Sequence, residues 1–476
     1  MLNKARQFNF RRSVQGLLLL GALSGGAISL AAAENLSGGN RLSLASAVKA
    51  AQLNDPWLVG NKHSQSAVES MSIAAGTLPD PKMSVGLANL PTDGFDFGQE
   101  GMTQFKVGAS QMFPRGDSLA IRQKQLQVVA SRFPFQREDR KAKVVVNVSQ
   151  LWLDAFLAQE SIALIEKDRP LFEQLADVAE ASYASTIGRT RQQDIVRAQL
   201  ELTRLDDRLT VLKQQQEMAV EKLSEWLSDY FLNQFTQGNS ESAASDWSRF
   251  VLDRSLPDIA ALNRPLFSTM SQAGPQQLYR YFSQHPSVVN LEQKIEASKT
   301  GIDLAKQKYK PEWGVNAGYG YRDNDPLGND RSDLFSLGVS FDLPLFTSNR
   351  QDKEVASAVS QTEAVKTEKW LLVRKMIADF EKSKAQLSRL NERQKIYQNK
   401  LLPEMSEQAE ASLNAYTNDD GDFAEVVRAR IDELNASIDS LAIDVARQKS
   451  IIQLNYYFMK DADDIVKSRR PSGDSK

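Results

Sequence analysis

Hydrophobic and polar residues alternate one by one in four short stretches of this chain and recur every three or four residues in two long ones. Trp313, Val315, Ala317, Tyr319 and Tyr321 fall on odd positions, with Gly314, Asn316, Gly318 and Gly320 between them. Phe335, Leu337, Val339, Phe341 and Leu343 alternate in the same way with Ser336, Gly338, Ser340 and Asp342. Earlier, Met83, Val85 and Leu87 are spaced by Ser84 and Gly86, and Phe105, Val107 and Ala109 by Lys106 and Gly108. A period of two with the bulk on one side predicts strands with a single apolar face. Loops of Asp, Gly and Asn separate the members of each pair, so the strands form two hairpins. They are expected over residues 82–90 with 103–113, and 312–322 with 334–343.

The rest of the chain reads as helix. Residues 115–187 and 345–416 contain no strand pattern, and a continuous helix of ~73 residues would reach ~110 Å at ~1.5 Å per residue. Pro170 and Pro403 are expected to kink these helices near their far ends. The return helices, residues 190–228 and 424–460, carry a heptad rhythm. In the first it runs through Ala198, Leu202, Leu205, Leu209, Leu212, Ala219, Leu223 and Trp226. In the second it runs through Val427, Ile431, Leu434, Ile438, Leu441, Val445, Gln448 and Ile452, and both are coiled-coil seams. A helix of ~23 residues before each hairpin and one of ~38 after the turn together span ~92 Å, close to the long helix, so the two are expected to stack end to end beside it.

The elements come in two copies. Pro56, Pro81 and Pro114 recur as Pro286, Pro311 and Pro344 at an offset of 230, and Ala179-Glu180-Ala181-Ser182 recurs as Ala409-Glu410-Ala411-Ser412. At the helix tips the offset slips to 231, where Val196-Arg197-Ala198 answers to Val427-Arg428-Ala429. A repeat of this length fixes the architecture as helix, hairpin, long helix and return helix, built twice. Repeat one occupies residues 34–228 and repeat two 275–460. The Ser-, Asn- and Asp-rich residues 229–274 read as an equatorial girdle or linker, and 461–476 as a polar tail.

Residues 1–33 have the form of an export signal: Lys4, Arg6, Arg11 and Arg12, an apolar run around Leu17–Leu20, and a small-residue end at Ala31-Ala32-Ala33. The chain has no cysteine, which excludes disulfides, thiolate metal sites and an N-terminal lipid on Cys. The 58 basic and 60 acidic residues nearly balance, so nucleic acid is not an indicated partner. After the signal no apolar run is long enough for a spanning helix, but a β-barrel span remains open.

Three features favour a transmembrane barrel over a soluble half-buried sheet: the bulky face is rich in aromatics, the other face is Gly, Ser and Asn, and an export signal precedes both. The residues expected to meet outer-membrane lipid are Met83, Val85 and Leu87 on the first strand, and Phe105 and Val107 on the second. Trp313, Val315, Tyr319 and Tyr321 would do so on the third, and Phe335, Leu337, Val339 and Phe341 on the fourth. Bacterial barrels start at about eight strands, so several chains must contribute to one cylinder.

The duplicated plan, Leu78-Pro79-Asp80-Pro81 before the first strand, and the tip pattern from Tyr183 through Gly188 to Asp194-Ile195 and Ala198 resemble the TolC-type outer-membrane efflux family over essentially the whole mature length. With Asn89-Leu90-Pro91 and Gln111-Met112-Phe113-Pro114, the chain looks most like the heavy-metal branch that serves RND pumps. The resemblance implies an α+β membrane protein, a homotrimer whose twelve strands close a barrel continued by a long periplasmic coiled-coil cylinder. It also implies a periplasmic membrane-fusion adaptor and an inner-membrane RND pump as partners, no catalysis and no cofactor. Such a conduit must stay shut until docked. Asp419, Asp420, Asp422 and Glu425 at the second tip would form an acidic ring around a threefold axis, against the alternative of a solvated polar turn. Ser185, Thr186, Ile187 and Gly188 at the first tip occupy the position where the family presents a small-residue notch to its adaptor.

No metal site is indicated. His63 and His285 do not correspond under the repeat, and Met83, Met102 and Met112 read as fillers rather than ligands. A metal cargo need only pass. Multidrug efflux and type I protein secretion remain alternatives, as does a periplasmic coiled-coil protein without a pore. The chain has no phosphate loop, paired-His motif or nucleophile elbow, so an enzyme is not expected.

Overall fold

A computed structural model describes residues 41–184, 191–228, 251–267, 273–418 and 421–467. The export signal, Ser185 to Gly188, Asp419 and Asp420, and much of the equatorial segment and the C-terminal tail lie outside the described residues.

Helices α1 (Leu44–Leu53) and α2 (Pro56–Ala75) lead into strands β1 (Lys82–Ala88) and β2 (Gln104–Phe113). Next come α3 (Ser118–Ala130), α4 (Arg132–Ala184) and the return helix α5 (Gln192–Leu227). After the short α6 (Arg264–Phe267) and α7 (Pro275–Phe282), the order repeats as α8 (Pro286–Lys306), β3 (Trp313–Tyr321) and β4 (Leu334–Phe341). It ends with α9 (Gln351–Ile396), α10 (Leu402–Thr417), α11 (Phe423–Tyr456) and a 3₁₀ turn, Ala462–Val466.

Each long helix is interrupted, and proline chemistry accounts for where. The first breaks at Ser131, because Pro134 has no N–H to offer the Ala130 carbonyl. The Ser131 hydroxyl also turns back to the Val128 carbonyl at 2.8 Å. Pro170 sits inside α4, which continues through it. Before Pro403 the backbone widens into a π-turn over Tyr397–Leu401, the expected response where proline removes a donor.

The short helices stack end to end. Asn54, beside the start of α2, donates to the carbonyl of Leu227 at the end of α5, 2.8 Å. Its counterpart is His285, which caps α8 and bonds the carbonyl of Tyr456 at the end of α11, 3.1 Å. Under the 230-residue offset, Asp55 answers to His285. Asp55 caps α2 and is bound by Arg140, Nε to Oδ2 at 2.7 Å, with the guanidinium over the rings of Trp57 and Trp226. One architectural joint is thus closed by two chemistries.

Among the described residues, three apolar clusters lie along the rod. The largest gathers Trp152, Phe156, Leu223, Phe282, Phe380 and Ile452 at the level of the two joints. Ile162, Ile165, Phe172, Leu205, Leu209, Leu434 and Ile438 follow, so seam residues of both repeats share one core. Residues 251–267 are not a free linker. Leu252, Ile259, Leu266 and Phe267 are buried in the largest cluster. The Ile259 and Leu262 amides donate to Gln448 and Asn455 of α11, at 3.2 and 2.9 Å. Gln448, a polar step in the heptad, is therefore a built contact. Ala462 and Ile465 of the 3₁₀ turn join the same core, where composition alone suggests only a polar tail.

Candidate functional site

The four strands form one antiparallel sheet in the order β1-β2-β3-β4. Register puts the alternating residues into rows. Val85 lies opposite Val107, Val107 opposite Tyr319, and Tyr319 opposite Phe335. Leu87, Phe105 and Tyr321 form the row above, and Phe113, Trp313 and Phe341 a row at the base, where the Trp313 and Phe341 rings approach to 4.8 Å. All thirteen residues predicted for the apolar face lie on this one side, and among them Met83, Leu337 and Phe335 are 68–73% exposed. An exposed patch of this size on a folded chain marks contact with something apolar.

The opposite face is glycine and serine at its centre, with Gln104, Lys106, Met112 and Asn316 also on it. Gly108 faces Gly318 across the ladder, flanked by Ser84 and Ser336. A Cβ added at Gly108 would come within 2.7 Å of the Ser84 hydroxyl, and one at Gly314 within 2.7 Å of the Ser340 hydroxyl. Small side chains folded over glycines suit the concave side of a curved sheet. At its base, Arg115 bonds the Asp342 carboxylate and the Lys310 carbonyl, which ties the end of β2 to the second repeat.

Far along the helices the two tips share one cluster. Leu175 and Ala179 of α4, Ala198 of α5, and Phe423, Val426 and Val427 of α11 are buried together, with Leu413 and Tyr416 of α10 packed against them. Phe423 meets Tyr416 edge-on at 5.7 Å. Counting ~1.5 Å per residue, the α3–α4 rod carries this cluster roughly 100 Å from the hairpins.

Of the four acidic gate candidates, Asp422 and Glu425 are described, and both are exposed at the start of α11. Asp422 Oδ1 accepts the Ala424 amide at 3.1 Å, so this carboxylate is a helix N-cap, with its charge favourably placed at the positive end of the helix. At the other tip Asp194 is buried and accepts the Arg191 amide at 2.9 Å. Two tip residues escape sequence reasoning, Gly421 and Phe423. A Cβ on Gly421 would sit 2.6 Å from the Tyr416 backbone nitrogen and 2.8 Å from the Ala415 carbonyl carbon, so only glycine lets the turn pass this close to α10. The Gly-Asp-Phe order, a small residue before a cap and an anchor, is the signal that could have found them.

Among the described residues no group of His, Cys, Asp or Glu could hold a metal ion. No helix there is long and apolar enough to cross a membrane.

No family model matches the sequence, and no curated protein matches it significantly. Solved structures do match the fold. A membrane protein from Pseudomonas aeruginosa superposes with a TM-score of 0.68 at 13% identity, covering 87% of this chain and 92% of that one. The outer-membrane channel OprN gives 0.67 at 12% identity, over 88% and 90% of the two chains. CusC, described by its transmembrane channel formation, gives 0.65 at 15% identity, over 87% and 91%. The chain therefore has the fold of outer-membrane channel proteins, and the named solved structures that share it are channels, not enzymes.

Proposed function

We propose that the chain is the outer-membrane conduit of a tripartite efflux system, passively conducting substrate from a periplasmic adaptor and an inner-membrane RND pump to the exterior. The observation that carries this reading is the four-stranded sheet with an exposed apolar face, borne at one end of a helical rod. Four strands cannot close on themselves, and an open sheet cannot stand in lipid, so three copies supply a twelve-stranded barrel. The odd-numbered face meets lipid, and the Gly-, Ser- and Asn-lined face meets water. The helices continue the bore through the periplasm, and the adaptor meets the tips, including Ser185, Thr186, Ile187 and Gly188.

Asp419, Asp420, Asp422 and Glu425, repeated three times around the axis, make the entrance narrow and acidic. The polar turn and the gate are not exclusive, since Asp422 caps α11 through one oxygen. The cargo class favoured by the strand-flanking motifs Leu78–Pro81 and Gln111–Pro114 is heavy-metal cations. Selectivity then lies in the pump.

Single-channel recording in planar bilayers tests the function. The full chain is expected to insert as a cation-blocked channel, and substituting Asp419 and Asp422 together by Ala should raise conductance and relieve the block. An unchanged conductance and block would remove the gate from the account, and absence of any channel would remove the conduit. Deletion of the gene followed by growth on metal salts and on drugs separates the cargo classes.

A further inference from the structure

We propose that Lys106 is a selectivity-determining residue of the barrel, and that its three copies form a cationic ring favouring anions over cations in the bore. The proposal rests on the conduit reading above and adds to it a charge preference of the bore itself. Strands β1 to β4 carry two charged residues, Lys82 and Lys106, and no acid. Both lysines are exposed, and both lie on the face centred on glycine and serine. Register puts Lys82 opposite Ser110 at the end of the sheet. Lys106 stands inside it, with Gly86 opposite on one side and Gly320 on the other.

Its neighbours on this face behave differently. Ser84, Gln104, Asn316 and Ser336 fold down onto glycines, since a Cβ added at Gly108, Gly320, Gly338 or Gly318 would meet them within 3.0 Å. A Cβ added at Gly86 would meet nothing within 4 Å, so Lys106 is not folded over the glycine opposite it. Its side chain leaves the sheet. Among the described residues Lys106 has no hydrogen bond or ion pair. The acids that flank β4 are engaged elsewhere: Asp333 accepts the Arg322 amide at 3.0 Å and the Tyr319 hydroxyl. Asp342 accepts the Glu312 amide at 2.7 Å and is paired with Arg115. The charge of Lys106 is therefore left for the bore.

Twelve strands at ~4.8 Å spacing and ~40° tilt enclose a backbone cylinder of about 12 Å radius. Lysines reaching ~6 Å inward bring three ammonium groups about 10 Å apart, roughly one Debye length at ~0.1 M salt. An ion on the axis is then about 6 Å from each, so salt does not screen the ring from it, and the anion-to-cation permeability ratio rises by about fivefold or more. Charged rings of this kind set the sign of the permeant ion. With the acids of the tip, the bore carries opposite charges at its two ends. The barrier to free cations is the same in both directions, but outward passage is driven by the pump and return is not. The ring thus hinders re-entry of external cations.

The chain has no cysteine, so one introduced at position 106 is the only thiol. Lys106→Cys is placed in the full chain carrying Asp419→Ala and Asp422→Ala, which weakens the selectivity of the tip. Reversal potentials are read in planar bilayers under a KCl gradient, before and after modification by a trimethylammonioethyl or a sulfonatoethyl methanethiosulfonate. The two reagents restore or reverse the charge on a channel already inserted, so folding does not enter the comparison. Relative to the same chain with Lys106 intact, the Lys106→Cys channel is expected to shift toward cations by about fivefold in permeability ratio. The cationic reagent should bring it back, and the anionic one should push it further. Reversal potentials that move with neither reagent, or a cysteine that neither reagent reaches, overturn the ring and leave the conduit standing. Wild-type protein that forms no channel overturns both.

Discussion

Acidification should loosen the joint of the second repeat. His285 Nδ1 accepts the Ser287 amide at 3.3 Å, and Nε2 donates to the Tyr456 carbonyl at 3.1 Å, an arrangement that only the neutral ring satisfies. The groups facing the ring are Ser287, Tyr456, Asp139 and Lys143. Burial lowers its pKa from 6.5 to about 4, although the nearby Asp139 carboxylate pulls the other way. The unfolded chain therefore binds a proton before the folded one does. The contribution to stability is complete above the unfolded pKa, falls as pH drops below it, and is gone near the folded value. At ~1.4 kcal/mol per pKa unit the loss amounts to about 3 kcal/mol. Two measurements check this. Isotope-edited NMR of the two imidazoles, His63 and His285, should show one ring still neutral at pH 5. The stability difference between wild type and His285→Asn, which retains a capping oxygen, should shrink as pH falls from 7 to 4. Both rings protonated at pH 5, or a difference independent of pH, would refute the reasoning.

Other perturbations test the remaining contacts. Arg140→Ala leaves the Asp55 carboxylate, 2% exposed, without its cation. The expected destabilisation is about 2–3 kcal/mol by denaturant unfolding, less than the ~3–5 of a fully buried pair because the guanidinium is partly exposed. Gly421→Ala forces backbone against backbone at the tip, and a cost of about 1–3 kcal/mol should appear as faster hydrogen exchange at the end of α10 and the start of α11, with the joints unaffected. Asp422→Asn preserves the cap and removes the charge. Stability should stay within about 0.5 kcal/mol while cation block of the channel weakens, whereas Asp422→Ala should also lose about 1 kcal/mol.

How much of this is legible in the sequence depends on how local the cause is. The strand alternation depends only on which face each residue takes, so the side chains sharing the apolar face could be named from parity alone. The heptads are equally local, and Leu205, Leu209, Leu434 and Ile438 pack together as their spacing requires. What periodicity cannot convey is which distant groups meet. Residues 251–267 look like linker because their partners, Gln448 and Asn455, lie almost two hundred residues away. His285 reads as an isolated imidazole until the end of α11 is placed beside it. At the tip the cluster of acids draws attention for its charge, while Gly421 and Phe423 shape the turn through close approach and burial that composition does not reveal. The Ser131 break was predictable in principle, since Pro134 stands three residues beyond it.

The central claim is that this chain becomes a membrane conduit only as an assembly of three. Native mass spectrometry of the full protein extracted with detergent from outer membranes measures that directly. The expected particle has three times the mass of the mature chain. A monomer released with the soluble periplasmic fraction would contradict it.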